Sequence, residues 1–380
     1  MQNKKIIILS PFFLPNTGGV ETHLSDLCSY LEKKKWDIRV ITYKPLTTKT
    51  EASFIEKKSD RFIIYRIPWF GKTLFHKFEK YPILQFFYLV PGIAFFAFFF
   101  LLKNHKEYRI VHAQGFAASF VANALSRFFK LRLISSMHAL YGFGKGGYLD
   151  SACRWILLRF NKVFCLPDPS QRDLLNAGVP PDILDVYVYW VDQNNFKPMD
   201  KETSRDKIKI PQKFTVLFVG RLIEKKGAGL LMEIAQELKD INFVFVGDGP
   251  IERDLKQASE AHHNIFVVGR KTPQEIPVYY GSADIGVLPS QYEEGFARVT
   301  LEALSCGRPV IVANKGCFPG MINDTVGILV DPTKDNIKEK ILFLYKNQEE
   351  LNRLTGNCRK YATEHFSEKN AERIEDAYLE

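Results

Sequence analysis

Cysteine is scarce in this sequence, and its few copies are not arranged for metal binding. The 380 residues include six cysteines, with no C-x-x-C pair and no His-rich spacing of the kind that binds zinc. Scattered single thiols are typical of reduced core residues in a cytoplasmic protein. We therefore expect no structural zinc.

The sequence also lacks the patterns of the common nucleic-acid-binding modules. No zinc-finger, RNP-type or basic-zipper pattern occurs, although the formal net charge is +9. Such a charge attracts nucleic acid, an anionic membrane surface or a phosphorylated substrate, and charge alone does not choose among the three. Because the motifs are missing, we expect no nucleic-acid partner.

A cleavable secretion signal is a third absence. Lysines followed by the apolar run Ile6 to Leu9 resemble the opening of a signal peptide, but Pro11 and Pro15 cut the run short and no small-residue cleavage site follows. The run is better interpreted as a first β-strand, and we expect a cytoplasmic location.

Short β-branched or aromatic runs alternate with helical patterns, and this alternation occurs twice along the chain. Such alternation predicts βαβ units that form a parallel sheet covered on both faces. The predicted fold class is therefore α/β, with two domains in tandem. The predicted strands are Ile6 to Leu9, Ile38 to Thr42, Phe62 to Ile67, Arg109 to Ala113, Leu131 to Met137 and Val163 to Leu166, then Thr215 to Val219, Asn242 to Val246, Ile265 to Val268, Ile285 to Leu288, Val310 to Ala313 and Gly327 to Val330.

A polar, lysine-rich stretch between Val191 and Pro211 interrupts the periodic pattern. We place the domain boundary in it, with residues 1–198 as the first domain and 199–366 as the second. The charged last helix, 367–380, is predicted to pack back on the first domain.

Two glutamates eight positions apart carry the strongest chemical signal. Glu294 follows a predicted strand and turn, and Glu302 is placed about two turns into the next helix. Eight residues of helical rise separate the carboxylates by roughly 12 Å, which is too far for an acid/base pair on one bond but suits a grip on two parts of an extended ligand. The amides of Gly295, Phe296 and Ala297 are predicted to open the helix and to bind phosphate oxygens. A nucleoside diphosphate sugar has that shape.

This motif resembles the E-x7-E motif of the retaining GT-B glycosyltransferases of group 4, and the resemblance covers nearly the whole chain. It implies two Rossmann-like domains whose parallel sheets face each other across a cleft, the first binding the acceptor and the second the nucleotide sugar. It also implies transfer from a UDP- or GDP-linked sugar to a lipid-linked or glycan acceptor. The other segments that carry it are Gly18 to Glu21, Val111 to Ala113, Met137 to Ala139, Val191 with Asp192, Gly220 to Leu222, Lys226 with Gly227, and Gly247 to Pro250.

Physical arguments support several of the same candidate site residues. Gly18 and Gly19 follow the first strand, where a backbone without Cβ atoms can approach a pyrophosphate; the alternative is an ordinary tight turn. Arg221 and Lys226 follow the first strand of the second domain, where they would neutralise a diphosphate leaving group; the alternative is a solvated basic loop. By the family pattern, His138 contacts the donor sugar near the reacting carbon, although a lone histidine at a strand end is often a satisfied core residue.

The expected chemistry also follows from missing groups. The candidate catalytic residues are His138, Glu294, Arg221 and Lys226, with Glu302 as a donor-binding residue. No nucleophile for the far face of the sugar is evident, so the family's same-face reaction is expected, in which the leaving phosphate helps to deprotonate the acceptor. No D-x-D motif occurs, so we expect the cations and helix amides to act without a metal or cofactor. One departure is Gly320, which stands where many relatives have a glutamate and puts one donor-sugar contact in doubt.

The run Ile83 to Leu102 has no charged residue and contains seven phenylalanines. It is long enough to cross a membrane, but one crossing would separate strands of a single sheet. A helix that covers a sheet normally has a polar outer face, yet Gln85 is the only strongly polar side chain here. Pro91 with Gly92 is predicted to break the run into a shallow hairpin. Cations that suit anionic headgroups flank it: Lys72, Lys77, Lys80, Lys103, Lys106 and Arg109.

We therefore favour attachment to the cytoplasmic membrane face over a buried helix, a protein partner or a true span, and a lipid-linked acceptor follows from that choice. Two rival functions stay open. An epimerase of similar fold would need further acid/base residues, which the sequence does not reveal. A non-catalytic scaffold predicts losses among the candidate residues, and all of them are present. A glycosyltransferase of glycolipid, polysaccharide or glycoprotein-glycan assembly is the preferred hypothesis.

Overall fold

The computed structural model of the chain describes residues 4–16, 18–48, 50–71, 74–78, 81–138, 147–167 and 170–380. The chain divides into two compact units. One runs to Val188 and also contains the end of the chain, Glu368–Glu380, and the other is Tyr189–Ser367. Each unit has its own parallel sheet, as the α/β prediction requires.

The first unit has an eight-stranded sheet in the order β3-β4-β2-β1-β5-β6-β7-β8. Only β3 runs antiparallel, against β4. The strands are β1 (Lys5–Leu9), β2 (Asp37–Tyr43), β3 (Ile55–Lys57), β4 (Phe62–Ile67), β5 (Ile110–Gln114), β6 (Arg132–Met137), β7 (Lys162–Cys165) and β8 (Leu184–Val186). The helices are α1 (Gly19–Lys33), α2 (Leu74–Phe78), α3 (Pro82–Asn104), α4 (Gly115–Leu125), α5 (Tyr148–Leu157), α6 (Ser170–Asn176) and, at the end of the chain, α15 (Lys369–Leu379).

The second unit has a six-stranded sheet in the order β11-β10-β9-β12-β13-β14, with every pair parallel. The strands are β9 (Thr215–Val219), β10 (Asn242–Val246), β11 (Ile265–Gly269), β12 (Ile285–Leu288), β13 (Val310–Ala313) and β14 (Gly327–Val330). The helices are α7 (Lys201–Ile208), α8 (Ala228–Glu237), α9 (Glu252–Ala261), α10 (Ile276–Ser282), α11 (Arg298–Ser305), α12 (Phe318–Met321), α13 (Lys334–Lys346) and α14 (Gln348–His365), with a 3-10 turn at Glu224–Lys226.

Every strand predicted from the sequence is present, and β3 and β8 are additional. Both additional strands lie at sheet edges and have three residues. Neither strand is fully buried, because β3 is largely exposed and β8 is half-buried. A strand with so little buried surface leaves no hydrophobic pattern that could predict it.

The boundary between the units lies ten residues before the predicted one, because residues 189–198 belong to the second unit. The ring of Tyr189 lies 4.4 Å from that of Phe296, centroid to centroid. Arg359 Nη1 donates to the carbonyl of Phe196 at 2.6 Å. Residues 189–198 therefore pack against the second unit through specific contacts, which the polar composition of the segment does not reveal.

The last helix, α15, lies in the first unit, where Glu375 is its main polar anchor. Its carboxylate accepts hydrogen bonds from Trp36 Nε1 at 2.8 Å and from the Tyr30 hydroxyl at 2.9 Å. Lys4 Nζ is a third donor at 3.2 Å. These partners come from α1 and from the residues just before β1 and β2, so the chain end is held to the first unit beside the central strands of its sheet.

Each sheet has a switch point, where neighbouring strands continue the chain in opposite directions across the sheet. In the first sheet it lies between β1 and β5, and in the second between β9 and β12. Open α/β sheets bind ligands beyond the carboxyl ends of the strands at such points. The loops that follow these four strands are therefore where a site is expected.

Helix α3 is continuous through Pro91, so the predicted hairpin at Pro91 and Gly92 is wrong. The Tyr43 hydroxyl donates to the carbonyl of Leu89 at 2.7 Å and accepts from the Ile93 amide at 3.1 Å. It thereby bridges the helix backbone beside a proline that has no N–H of its own. Pro91 is accommodated because the sheet supplies a polar group from β2.

One side of α3 packs against the first unit, and the other side is apolar and exposed. Leu89, Ile93, Ala97 and Leu101 recur at four-residue spacing on the buried side. On the opposite side, Phe95 is 70% exposed. We call this side the apolar stripe: Ile83, Leu84, Phe87, Phe95, Phe99 and Leu102.

Within the described chain, Ile83–Asn104 is the one helix long and apolar enough to cross a membrane. Core helices of soluble proteins meet the same criterion, but they are mostly buried, whereas 28% of the most apolar stretch is buried here. Among the flanking cations, Lys77, Lys103, Lys106 and Arg109 are exposed; Lys72 and Lys80 lie outside the described residues.

Candidate active site

Lys226 and Glu294 are brought together at the switch point of the second sheet. Lys226 Nζ lies 2.8 Å from each carboxylate oxygen of Glu294. The Ser290 hydroxyl donates to Glu294 Oε1 at 2.6 Å, and Glu294 is only 4% exposed. Glu294 thus fixes the position of the Lys226 ammonium group, whose positive charge can attract an anionic ligand.

Two glycines explain why these side chains can meet. Gly227 has φ 77°, and a Cβ there would lie 2.3 Å from the carbonyl oxygen of Pro289. Gly316 has φ 59°, and a Cβ there would lie 2.6 Å from the Glu294 amide nitrogen. The loops after β9, β12 and β13 therefore approach so closely that only glycine fits at both positions.

The electrostatics keep Lys226 protonated. Burial lowers the pKa of Lys226, but the attraction of the Glu294 carboxylate and contact with Tyr292 outweigh it, so the net pKa is raised. Burial, followed by the Glu294 charge, raises the pKa of the Tyr292 phenol. Lys226 Nζ lies 5.8 Å from the Tyr292 ring centroid. A lysine held in its charged form suits the neutralisation of a diphosphate.

Arg221 also follows β9, but its side chain is exposed and, within the described residues, has no hydrogen bond or ion pair. Its backbone is held by the loop after β10, since the Leu222 amide donates to the carbonyl of Asp248 at 2.8 Å. A Cβ at Gly247, which has φ 146°, would lie 1.8 Å from the carbonyl oxygen of Gly220. The glycine-rich segment 247–250 thus positions the arginine loop.

Helix α11 begins at Arg298, with Ala297 as its N-cap residue, so Gly295 and Phe296 precede the helix rather than open it. The estimate of 12 Å from helical rise does not apply, because Glu294 lies outside the helix. Within the described residues the amides of Gly295 and Phe296 donate no hydrogen bond. They therefore remain compatible with the predicted phosphate contact.

Glu302 lies about one turn into α11, and protein groups contact both of its carboxylate oxygens. Arg298 Nε donates to Oε1 at 3.1 Å, and the Tyr280 hydroxyl donates to Oε2 at 3.1 Å. Arg298 in turn donates to the carbonyl of Trp190 at 3.0 Å. Glu302 therefore has a structural role in α11, and its predicted contact with the nucleotide stays a prediction.

A cavity of about 640 Å³ lies at the switch point of the first sheet, beyond β1 and β5. Gly18 and Gly19 line it, together with the polar side chains of Glu21, Gln114 and His138. Most of its wall is apolar and comes from α3, α4 and α5, including Ile83, Phe86, Leu89, Phe116, Phe120, Leu149, Trp155 and Ile156. The first-unit candidates are thus grouped around this cavity, and the second-unit candidates around Lys226 and Glu294.

His138 is held by hydrogen bonds on both ring nitrogens. Nε2 lies 2.6 Å from Gln114 Oε1, and Nδ1 lies 3.0 Å from the Tyr187 hydroxyl. Because an amide oxygen only accepts, Nε2 carries the proton and Nδ1 accepts from Tyr187. Burial lowers the pKa of His138 to about 3, so the ring is neutral. This environment suits a neutral contact with a sugar better than proton transfer.

Gln114 also lines this cavity, and the sequence did not single it out. It is 4% exposed, and its Nε2 is buried with no hydrogen-bond partner in the described structure. Buried side-chain donors are nearly always satisfied, so an unsatisfied one beside a cavity indicates a ligand group. The signal in the sequence is a polar residue at the end of an otherwise buried strand next to the switch point.

Other candidates have structural explanations or fall outside the description. His112 Nδ1 lies 2.6 Å from the Tyr378 hydroxyl and Nε2 lies 2.8 Å from Ser136 Oγ, so the ring of this buried histidine is engaged within the core. The Gly320 amide donates to the carbonyl of Cys317 at 3.1 Å and is engaged within its own turn. Ser170 begins α6, whereas Asp168, a possible cap or acceptor contact, lies outside the described residues. Across the described ranges, no group of three His, Cys, Asp or Glu side chains is arranged to hold a metal ion.

Two family models match the chain and between them cover most of it. Glycosyltransferase Family 4 matches residues 17–192, and Glycosyl transferases group 1 matches residues 200–361. The chain therefore belongs to the GT-B glycosyltransferases of the group 1 and group 4 type.

Individual relatives are distant but extend along the chain. The GPI3 subunit of phosphatidylinositol N-acetylglucosaminyltransferase from Saccharomyces cerevisiae is 24% identical over 340 residues, which are 86% of this chain and 72% of the yeast protein. Sucrose-phosphate synthase from Thermosynechococcus elongatus has a TM-score of 0.79 at 20% identity, covering 99% of this chain and 98% of its own. HepE from Anabaena in complex with UDP-glucose has a TM-score of 0.76 at 18% identity, with 99% of both chains covered. These likenesses confirm the GT-B fold.

Proposed function

We propose that this glycosyltransferase is a retaining enzyme that takes its sugar from a nucleoside diphosphate donor bound at the second sheet. The observation that carries the proposal is the Lys226–Glu294 pair at the switch point between β9 and β12. A carboxylate that fixes a protonated lysine, with the exposed Arg221 after the same strand, forms a preorganised receptor for a diphosphate. The amides of Gly295 and Phe296 supply further donors.

In the proposed reaction, the bond between the anomeric carbon and the diphosphate oxygen breaks, and its electron pair leaves with the diphosphate. The acceptor hydroxyl oxygen bonds to the anomeric carbon on the same face, and its proton passes to the leaving phosphate. Lys226 and Arg221 stabilise the charge that develops on the diphosphate, so no metal is required. NMR of the product would show the donor's anomeric configuration, and activity would persist in EDTA; an inverted product would refute the retaining mechanism.

The donor nucleotide is proposed to be UDP, because the structurally similar HepE is described in complex with UDP-glucose. Thermal unfolding with UDP, GDP and ADP tests this directly. A nucleotide at one hundred times its dissociation constant stabilises the folded state by about 2.7 kcal/mol. UDP should raise the melting temperature and GDP should not. Stabilisation by GDP alone would reassign the donor, and no shift with any nucleotide would contradict the proposed site.

The acceptor is proposed to be lipid-linked and to be glycosylated at the cytoplasmic membrane face. The apolar stripe of α3 supports this, because a soluble protein rarely exposes a continuous row of large apolar side chains. The exposed Lys77, Lys103, Lys106 and Arg109 would attract anionic headgroups. The yeast relative is named for transfer of N-acetylglucosamine to phosphatidylinositol, which is a lipid acceptor.

A further inference from the structure

The wall of the first-sheet cavity has a polar part and a larger apolar part. Its polar side chains are those of Ser10, Glu21, Gln85, Gln114 and His138, of which the last two are hydrogen-bonded to each other, and the rest of the wall is dominated by aromatic and aliphatic side chains from α3, α4 and α5. Its volume of about 640 Å³ lies in the range of roughly 300–1,000 Å³ that is usual for sites of small organic ligands. A ligand that matches this wall has a hydrogen-bonding head and a hydrocarbon tail.

The head must supply a hydrogen-bonding group to Gln114. Gln114 Oε1 is engaged by His138, which leaves the amide nitrogen of Gln114 pointing to no protein acceptor in the described structure. Turning the amide over would place the unsatisfied atom on the oxygen instead, so protein groups alone do not satisfy this side chain. A hydroxyl group, which both accepts and donates, would satisfy it in either orientation.

The charge of the wall argues against a phosphate as the head of this ligand, whereas the predicted approach of Gly18 and Gly19 to a donor pyrophosphate stays a prediction. Among the lining residues in the part of the chain that the structure describes, none is a lysine or an arginine, and Glu21 is the one with a carboxyl group. Burial raises the pKa of Glu21, which reflects an environment that disfavours negative charge. An uncharged head is therefore favoured over an anionic one, so the acceptor proposed here shares its lipid character, but not its charge, with the phosphatidylinositol in the name of the yeast relative.

The cavity is continuous with the apolar stripe. Ile83 lies in the cavity wall and is also 62% exposed as the first residue of the stripe. Leu149 and Trp155 likewise belong to the wall and are about half exposed. Apolar side chains therefore connect the stripe to the cavity wall, beside the polar side chain of Gln85, which also lines the cavity.

We propose that this cavity binds the acceptor as an uncharged amphiphile. A hydroxyl-bearing head accepts a hydrogen bond from Gln114 Nε2, and a hydrocarbon chain lies along Phe86, Phe120 and Ile156. Gln114 is thereby assigned as a residue that positions and selects the acceptor. The assignment rests on the proposed function, since it names the chemical class of acceptor for that reaction.

The test is binding of n-octyl β-D-glucoside, below its micellar concentration, to the full chain by titration calorimetry. Octyl glucoside should bind, glucose should not, and octyl phosphate should bind at least about tenfold more weakly because its charge enters an apolar site. UDP is titrated separately. Normal UDP binding with no octyl glucoside binding would overturn this inference and leave the proposed function standing. Octyl phosphate as the tighter ligand would overturn the uncharged head.

Two variants locate the binding. Gln114→Met, which keeps the length of the side chain but removes its donor, should weaken octyl glucoside binding about tenfold, the value of one lost hydrogen bond. Ala152→Leu adds volume inside the cavity and should weaken binding by at least as much. Ala124→Leu is the matched control, because Ala124 is half-buried and does not line the cavity. Equal affinities in all three variants and the wild type would contradict the location.

Discussion

Lys226 Nζ is equidistant from the two carboxylate oxygens of Glu294, at 2.8 Å, although the residues are 68 positions apart in the chain. The pair links the loop after β9 to the loop after β12. The sequence predicted that each residue contacts the donor separately. In the structure the two residues also form an ion pair with each other. Substitutions at either position will therefore affect folding as well as activity.

Substitution of Glu294 should lower both the free energy of unfolding and the turnover. Glu294→Ala leaves the ammonium of Lys226 without its buried partner, and we expect a loss of about 3 kcal/mol in the free energy of unfolding. Glu294→Gln keeps the shape and should lower turnover about 100-fold with a smaller loss of stability. Urea unfolding and initial rates measure the two effects.

Arg221→Met is the matched control for that experiment. The side chain is exposed and has no polar partner in the described structure, so turnover should fall while the urea midpoint stays that of the wild type. Wild-type turnover in both Arg221→Met and Glu294→Gln would rule out the assigned site.

Gly19→Ala should show whether the space beside Gly19 is occupied by substrate, because the substitution itself strains no part of the protein. A Cβ at Gly19 meets no protein atom within 4 Å, and alanine in the first turn of α1 should leave stability unchanged or raise it by about 0.5 kcal/mol. If this space belongs to substrate, turnover falls at least about tenfold. Gly356→Ala in α14 is the control, since a Cβ there is equally unobstructed. Full activity in Gly19→Ala would remove this glycine from the site.

Phe95→Ser with Phe99→Ser should abolish attachment to anionic vesicles. Both rings lie in the exposed apolar stripe, whereas Phe96 and Phe98 are half-buried and pack against the core, so their replacement would also destabilise the unit. Co-sedimentation with vesicles of phosphatidylglycerol and phosphatidylcholine is the measurement. Phe343→Ser, at an exposed phenylalanine of α13, should bind like the wild type. Equal vesicle binding by the double variant and the wild type would contradict membrane attachment through α3.

The buried His112 should make stability depend on pH. Burial, with a smaller effect of His138, lowers the pKa of His112 to about 3, whereas in the unfolded chain it is near 6.5. The unfolded state therefore takes up a proton first, and stability falls as the pH drops from about 6.5 toward 3. Between pH 7 and pH 5 we expect a loss of about 2 kcal/mol from this residue. In His112→Asn the dependence should be smaller; an unchanged slope would show that His112 is not responsible.

The sequence predicted the sheets well because their central strands are unbroken apolar runs, as at Thr215–Val219 and Val310–Ala313. It could not predict contacts made by loops distant along the chain. The approach of Gly227 to Pro289 and of Gly316 to Glu294 depends on three loops meeting, which no local pattern encodes. Gln114 was missed for a similar reason, since only the cavity shows that its amide has no protein partner.

The Tyr43 hydroxyl inserted beside Pro91 has a consequence for orientation. Because it engages Leu89 and Ile93 together, α3 can neither rotate about its axis nor slide along the sheet without breaking both bonds. A bilayer that takes up the apolar stripe would therefore hold the first unit at one tilt and one depth. Ile83, at the start of the stripe and in the cavity wall, would then lie at the level of the lipid chains, so that an acceptor enters by lateral diffusion in two dimensions.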